Sequence, residues 1–239
     1  IHGGGIDLIF PHHENEIAQS ECACPKSEFV RYWVHNGYLT VNGEKMSKST
    51  GNFVTIRQAL DIVPGEVIRL FMLSAHYRGP IDWTEGLLQQ AKTNTDRLYN
   101  TLRLCEDIQV DNSSKKPSKG VISSLEDDLN TPEALAELYG LASKLNKAKT
   151  LVERVEAKSS LLASGQLMGF FKNNTEAWFH GKNTDDGFSD SMILSMIKKR
   201  TNARINKDYA EADRIRENLE ENGIFLEDNS NGTSWRRNN

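Results

Sequence analysis

His2-Gly3-Gly4-Gly5-Ile6-Asp7-Leu8-Ile9-Phe10-Pro11-His12-His13-Glu14-Asn15-Glu16 joins an apolar run to a proline and then to a polar, helix-prone segment. Asp7-Leu8-Ile9-Phe10 reads as the end of a buried strand, and Pro11, whose fixed φ suits a first helical turn, is expected to open a helix running through Ala23. A glycine triplet beside an acid at a strand-to-helix junction lets backbone approach a ligand closely. Asp7 then lies in reach of sugar hydroxyls, as in nucleotide sites at the C-terminal edge of a parallel sheet. The same triplet also serves a plain turn. His12 and Glu16 stand four apart, which puts imidazole and carboxylate on one helix face, where they can take a zinc ion or simply share a surface hydrogen bond. Cys22 and Cys24 are not expected to join them, because the residues from Glu16 to Cys24 carry a helix about 12 Å along its axis.

Outward from this stretch, Phe29 to Trp33 and Tyr38 to Val41 are short β-prone runs around Gly37, so residues 1–60 read as α/β. After Pro64 the spacing turns helical. Val67, Leu70 and Phe71 fit one helix, and Leu87, Ala91, Leu98, Leu102 and Cys105 fit a longer one, within a helical region 61–110. Residues 111–120 (DNSSKKPSKG) read as an exposed linker. Thr131 followed by Pro132 and Glu133 is a helix start, with Leu135, Leu138, Leu141 and Leu145 as its buried stripe. A second helix through Leu151, Val155 and Leu162 completes a small bundle over 121–172. Residues 173–190 read as a second linker. Two helices follow, the second capped by Asp208 and ended at Gly223, then a short strand at Ile224-Phe225-Leu226, making a small mixed module over 190–239.

The fold class expected is therefore α/β plus α. Hydrophobic residues at 38% and charged residues at 26% suit a soluble protein, and no apolar run approaches the roughly 20 residues of a membrane span. Three cysteines without framework spacing fit a reducing compartment, so the expected location is cytoplasmic. The chain opens on Ile1 within a strand-like run and is expected to start inside a domain. A net charge of −4 argues against nucleic-acid binding over the whole surface. Locally, Lys198, Lys199, Arg200, Arg204 and Lys207 form a run without acids, either a phosphate-facing surface or a solvated helix face.

Lys45-Met46-Ser47-Lys48-Ser49, followed by Gly51-Asn52, places two lysines around small hydroxyl residues after a strand. Such lysines can neutralise charge developing on a polyphosphate, which stabilises a displacement transition state.

HGGGIDLIFPHHENEIAQS, the KMSKS loop with its trailing GN and the ending GIFLEDNSNGTSWRR together resemble the cysteinyl-tRNA synthetases of class I, over essentially the whole chain. The resemblance implies that residues 1–60 are the latter part of a Rossmann-like catalytic domain, with 61–110 a stem-contact region and 190–239 an anticodon-binding module. It implies ATP-dependent activation of cysteine and ligation to tRNA(Cys). ATP contacts then fall to His2, Gly3, Gly5, Asp7 and Lys48, and catalysis to Lys45 and Lys48. Magnesium accompanies ATP, and zinc, which binds the substrate thiolate, has His12 and Glu16 as two of its ligands. The resemblance places two cysteine ligands and the HIGH motif upstream of Ile1, so this chain alone is expected to be inactive. It implies that the C-terminal module reads the anticodon stem and loop; within it Arg200 and Arg204 stand four apart on one face, Tyr209 offers a stacking surface, Asp213 and Asp228 can accept from exposed base edges, and Trp235 is either a stacking platform or a core anchor. A monomer is expected. Two rival readings are a related cysteine ligase acting on an amino-sugar and a non-catalytic tRNA-binding fragment. The basic and aromatic tail from Arg200 to Trp235 argues against the first, and the intact KMSKS with the His12 and Glu16 pair argues against the second for the full-length protein.

Overall fold

The structure, a computed structural model, describes residues 1–25, 28–46, 51–111, 116–180, 188–229 and 232–237. It contains two compact units, Ile1–Lys172 and Asn173–Asn239. The segments expected at 1–60, 61–110 and 121–172 fall in the first unit, and that at 190–239 in the second.

In the first unit, β1 (His2–Gly5) pairs in parallel with β2 (Trp33–Asn36), His2 opposite Trp33 and Gly5 opposite Asn36. Asp7-Leu8-Ile9-Phe10 is not a strand end. Ile6–Leu8 and Ile9–His13 form tight helical turns, interrupted by extended backbone at Phe10 (φ −131°, ψ 132°), and α1 (Glu14–Ala23) begins at Glu14 rather than Pro11. Phe10 is 78% exposed, so the burial that would have favoured a strand is not met among the described residues.

A second sheet has β3 (Leu39–Val41) at its centre, antiparallel to β4 (Glu44–Lys45) and parallel to β5 (Ile81–Trp83). Helices follow: α2 (Ile56–Ile62), α3 (Gly65–Leu73), α4 (Glu85–Arg103), α5 (Lys119–Glu126), α6 (Thr131–Lys147) and α7 (Leu151–Leu167). Val67, Leu70 and Phe71 are buried as their spacing predicts, as are Ala91, Leu98, Leu102 and Cys105, but Leu88 replaces Leu87 on the core face of α4. In α7 the buried residues are Ala157, Leu161, Ala163, Ser164 and Gly165, whereas Leu151 is exposed, so the helix is rotated from the expected stripe. The cap of α6 is Asn130, whose side chain accepts from the Glu133 amide at 3.2 Å, one residue earlier than Thr131. Fully buried leucines such as Leu138 and Leu161 each contribute roughly 2 kcal/mol through apolar area removed from water.

Polar ties hold the helices together. Buried Glu66 of α3 accepts from the Tyr99 hydroxyl of α4 and from the backbone amides of Phe171 and Lys172, at 2.9–3.0 Å. Asp128, at the turn between α5 and α6, accepts from Arg78 Nε at 2.6 Å and Nη2 at 2.9 Å and from the Tyr77 hydroxyl at 2.7 Å. The Arg78 guanidinium, then the Tyr77 hydroxyl, hold its carboxyl down at about 2.

In the second unit, the 173–190 segment is not wholly a linker. It contains α8 (Thr175–His180), because Trp178 and Phe179 find buried positions; residues 181–187 lie outside the described ones. α9 (Asp190–Ile205) and α10 (Tyr209–Glu221) pack with the antiparallel hairpin β6 (Ile224–Asn229) and β7 (Gly232–Arg237). Asp208 caps α10 by accepting from the Glu211 amide. Ile193, Ile197, Ile215, Leu219, Ile224 and Trp235 form the core. No helix among the described residues is long and apolar enough to cross a membrane.

Candidate functional site

The strand β1 and the turns after it gather the first cluster. His2, His13 and Glu16 bring ligand atoms within 4.8 Å of one another, with His2 Nε2 2.9 Å from Glu16 Oε2. His13 is buried and shares a ring-nitrogen hydrogen bond of 2.8 Å with His35 Nε2, the donor depending on tautomer. Trp33 stacks on His35 (5.8 Å, 9°) and lies 4.9 Å from the His2 ring. Gly4 makes this packing possible: a Cβ there would sit 3.0 Å from His13 Cε1 and from Leu8 Cδ1. Imidazole nitrogens and a carboxylate suit zinc in donor chemistry.

Of the expected metal ligands, Glu16 is in this cluster and His12 is not; His12 is exposed, and His13 takes the inward position. The reason is local. The turns between Ile6 and His13 wind differently from an α-helix, so four residues from His12 to Glu16 do not correspond to one regular turn. The expected nucleotide contacts His2, Gly3 and Gly5 share β1, and Asp7 follows in the next turn. Lys48 lies outside the described residues, and only the backbone of Lys45, in β4, is described.

The second cluster lies in the C-terminal unit and differs from the expected arrangement. Asp228 accepts from Arg200 Nη1 and Nη2, each at 2.9 Å, from Arg204 Nη1 at 2.9 Å and from Thr233 Oγ1 at 2.6 Å. Arg200 first, then Thr233, holds the Asp228 carboxyl well below the usual carboxylate range. The Arg200 guanidinium is buried, so this pair fastens the hairpin to α9 rather than presenting two separate recognition groups. Trp235 is 2% exposed and stacks on His180 at 3.8 Å, so of the two roles expected for it the fold gives it that of core anchor. Tyr209 and Asp213 are exposed, and the Arg204 side chain is half-exposed.

His13, His35 and Trp33 were not marked by sequence. The doubled histidine at 12–13 was the available signal, but choosing between its members requires the winding of the preceding turns.

Residues 1–93 match the family described as tRNA synthetases class I (C) catalytic domain, and residues 120–172 match the DALR domain. The cysteine–tRNA ligase of Paramagnetospirillum magneticum is 52% identical over 237 residues, covering 99% of this chain and 51% of that protein. That of Rhodospirillum rubrum is 52% identical over 239 residues, with the same coverage. The chain thus spans about half the length of the curated relatives it matches. Among solved structures, the LeuRS of Agrobacterium radiobacter K84, in a ternary complex with tRNA and LeuAMS, superposes with a TM-score of 0.53 at 16% identity. That match covers 72% of this chain and 28% of the other and shows likeness of fold alone. Domain matches and relatives agree: the chain carries a segment similar to the class I (C) tRNA synthetase catalytic domain and a DALR domain, and over nearly its whole length it is similar to about half the length of the cysteine–tRNA ligases.

Proposed function

We propose that the full-length protein carrying this chain activates cysteine with ATP and ligates it to tRNA(Cys). The observation that carries this reading is the His2, His13 and Glu16 cluster beside the glycine triplet of strand β1, in a chain half-identical to cysteine–tRNA ligases across its length. Residues 1–60 are read as the latter part of a Rossmann-like catalytic domain. His2, Gly3, Gly5 and Asp7 offer backbone approach and a carboxylate to ATP, which brings magnesium. Lys45 and Lys48 meet the polyphosphate.

Glu16 and the adjacent imidazoles are the zinc donors proposed in this chain. Zinc, when bound, favours the substrate thiol as thiolate, which a serine hydroxyl cannot match. In the second unit, Arg204, Tyr209 and Asp213 are the exposed groups proposed to meet tRNA, with Arg200, Asp228 and Trp235 supporting them from within the fold. A cytoplasmic monomer completes the reading.

Activation is tested by exchange of labelled pyrophosphate into ATP with the full-length protein. Exchange should depend on cysteine and fall to background with serine at equal concentration. Absence of cysteine-dependent exchange would favour the non-catalytic tRNA-binding fragment.

A further inference from the structure

The hairpin that delivers Lys45 is braced by a carboxylate from outside it. Asn42 and Gly43 adopt left-handed backbone (φ 52° and 81°), the conformation an Asn-Gly turn favours, and Thr40 and Val41 pair with Lys45 and Glu44. This hairpin is short, and two short strands alone are marginal. On the other side of β3, Asp82 lies opposite Thr40 in parallel register. Its Oδ1 accepts from Thr40 Oγ1 at 2.7 Å and from the Gly43 amide at 2.9 Å, while the Asn42 amide donates to the Trp83 carbonyl at 3.3 Å. The Gly43 amide first, then the Thr40 hydroxyl, draws the Asp82 carboxyl below its ordinary range, so the acceptor is ionised at neutral pH.

β5 itself is well anchored. Trp83 meets buried Phe71 of α3 edge to face at 5.1 Å, and Thr84 caps the long helix α4 by accepting from the Leu87 amide. The turn is therefore fixed through Asp82 to the helical body and not only to its own two strands.

We propose that Asp82 is a positioning residue for cysteine activation: by holding the Asn42-Gly43 turn, it fixes the direction in which β4 carries Lys45 toward the polyphosphate. This rests on the reading of Lys45 and Lys48 as phosphate-facing groups. Residues 47–50 lie outside the described ones, and the inference concerns the strand that feeds them. Because one oxygen accepts both bonds, asparagine can replace Asp82 whereas alanine cannot.

The test compares Asp82→Ala and Asp82→Asn in the full-length protein, with Lys48→Ala alongside. In Asp82→Ala, kcat for pyrophosphate exchange should fall about tenfold, since small misplacements of reacting groups are costly, with KM for cysteine unchanged. Gly43 amide hydrogen exchange should quicken several-fold on loss of its acceptor. Asp82→Asn should restore both readouts. Unchanged Gly43 exchange in Asp82→Ala would overturn the brace itself, whatever the activity. Faster Gly43 exchange with normal kinetics, while Lys48→Ala remains impaired, would overturn the positioning role and leave the proposed activity standing. Normal kinetics in Lys48→Ala would remove the reading of the lysines and the inference with it.

Discussion

Lys48→Ala in the full-length protein is expected to slow cysteine-dependent pyrophosphate exchange by at least ~100-fold, the order of loss when a preorganised electrostatic donor is removed from a transition state. The attacking cysteine carboxylate and the departing pyrophosphate both concentrate negative charge around the α-phosphate. A lysine ammonium supplies compact positive charge there without having to be recruited from solvent. If its contribution arises mainly in the transition state, kcat falls while KM for cysteine stays near the parent value. Lys48→Arg should recover part of the rate, because charge is retained but its placement and hydration differ. A near-normal exchange rate in Lys48→Ala would exclude this role.

Metal content gives the second large effect. The full-length protein is expected to carry about one zinc per chain, and Glu16→Ala should lose it, since Glu16 belongs both to the ligand pair expected from the family and to the cluster in the structure. Single alanine variants at His12 and His13 then identify the imidazole that binds. His13 has the inward position beside His2 and Glu16, while His12 has the spacing that a regular helix would require. Elemental analysis reads the outcome without reference to activity. Zinc retained at full occupancy in Glu16→Ala would exclude both arrangements.

Helices with a strong apolar period were legible in the sequence. α3, α4 and α6 bury the expected Leu70, Leu98 and Leu138, because a helical stripe and its burial are set by residues close in sequence. The apolar run Ile6 to Phe10 misled, because hydrophobicity alone does not determine backbone direction where no neighbouring strand covers it. α8 was missed because its six residues are too few to show a period, although Trp178 and Phe179 anchor it.

The site was legible in kind more than in geometry. Glu16 and His2 could be named from their motif, but the inward turn of His13 and its bond to His35 link residues far apart in sequence. Likewise, Arg200 and Asp228 were recognisable as important polar residues. That they satisfy each other depends on the hairpin bringing β6 back to α9.

The most direct measurement is transfer of labelled cysteine by the full-length protein, offered tRNA(Cys) and an amino-sugar acceptor in parallel. Cysteine should become esterified to tRNA(Cys) and not joined to the amino-sugar. Transfer to the amino-sugar with no charging of tRNA(Cys) would contradict the proposed function.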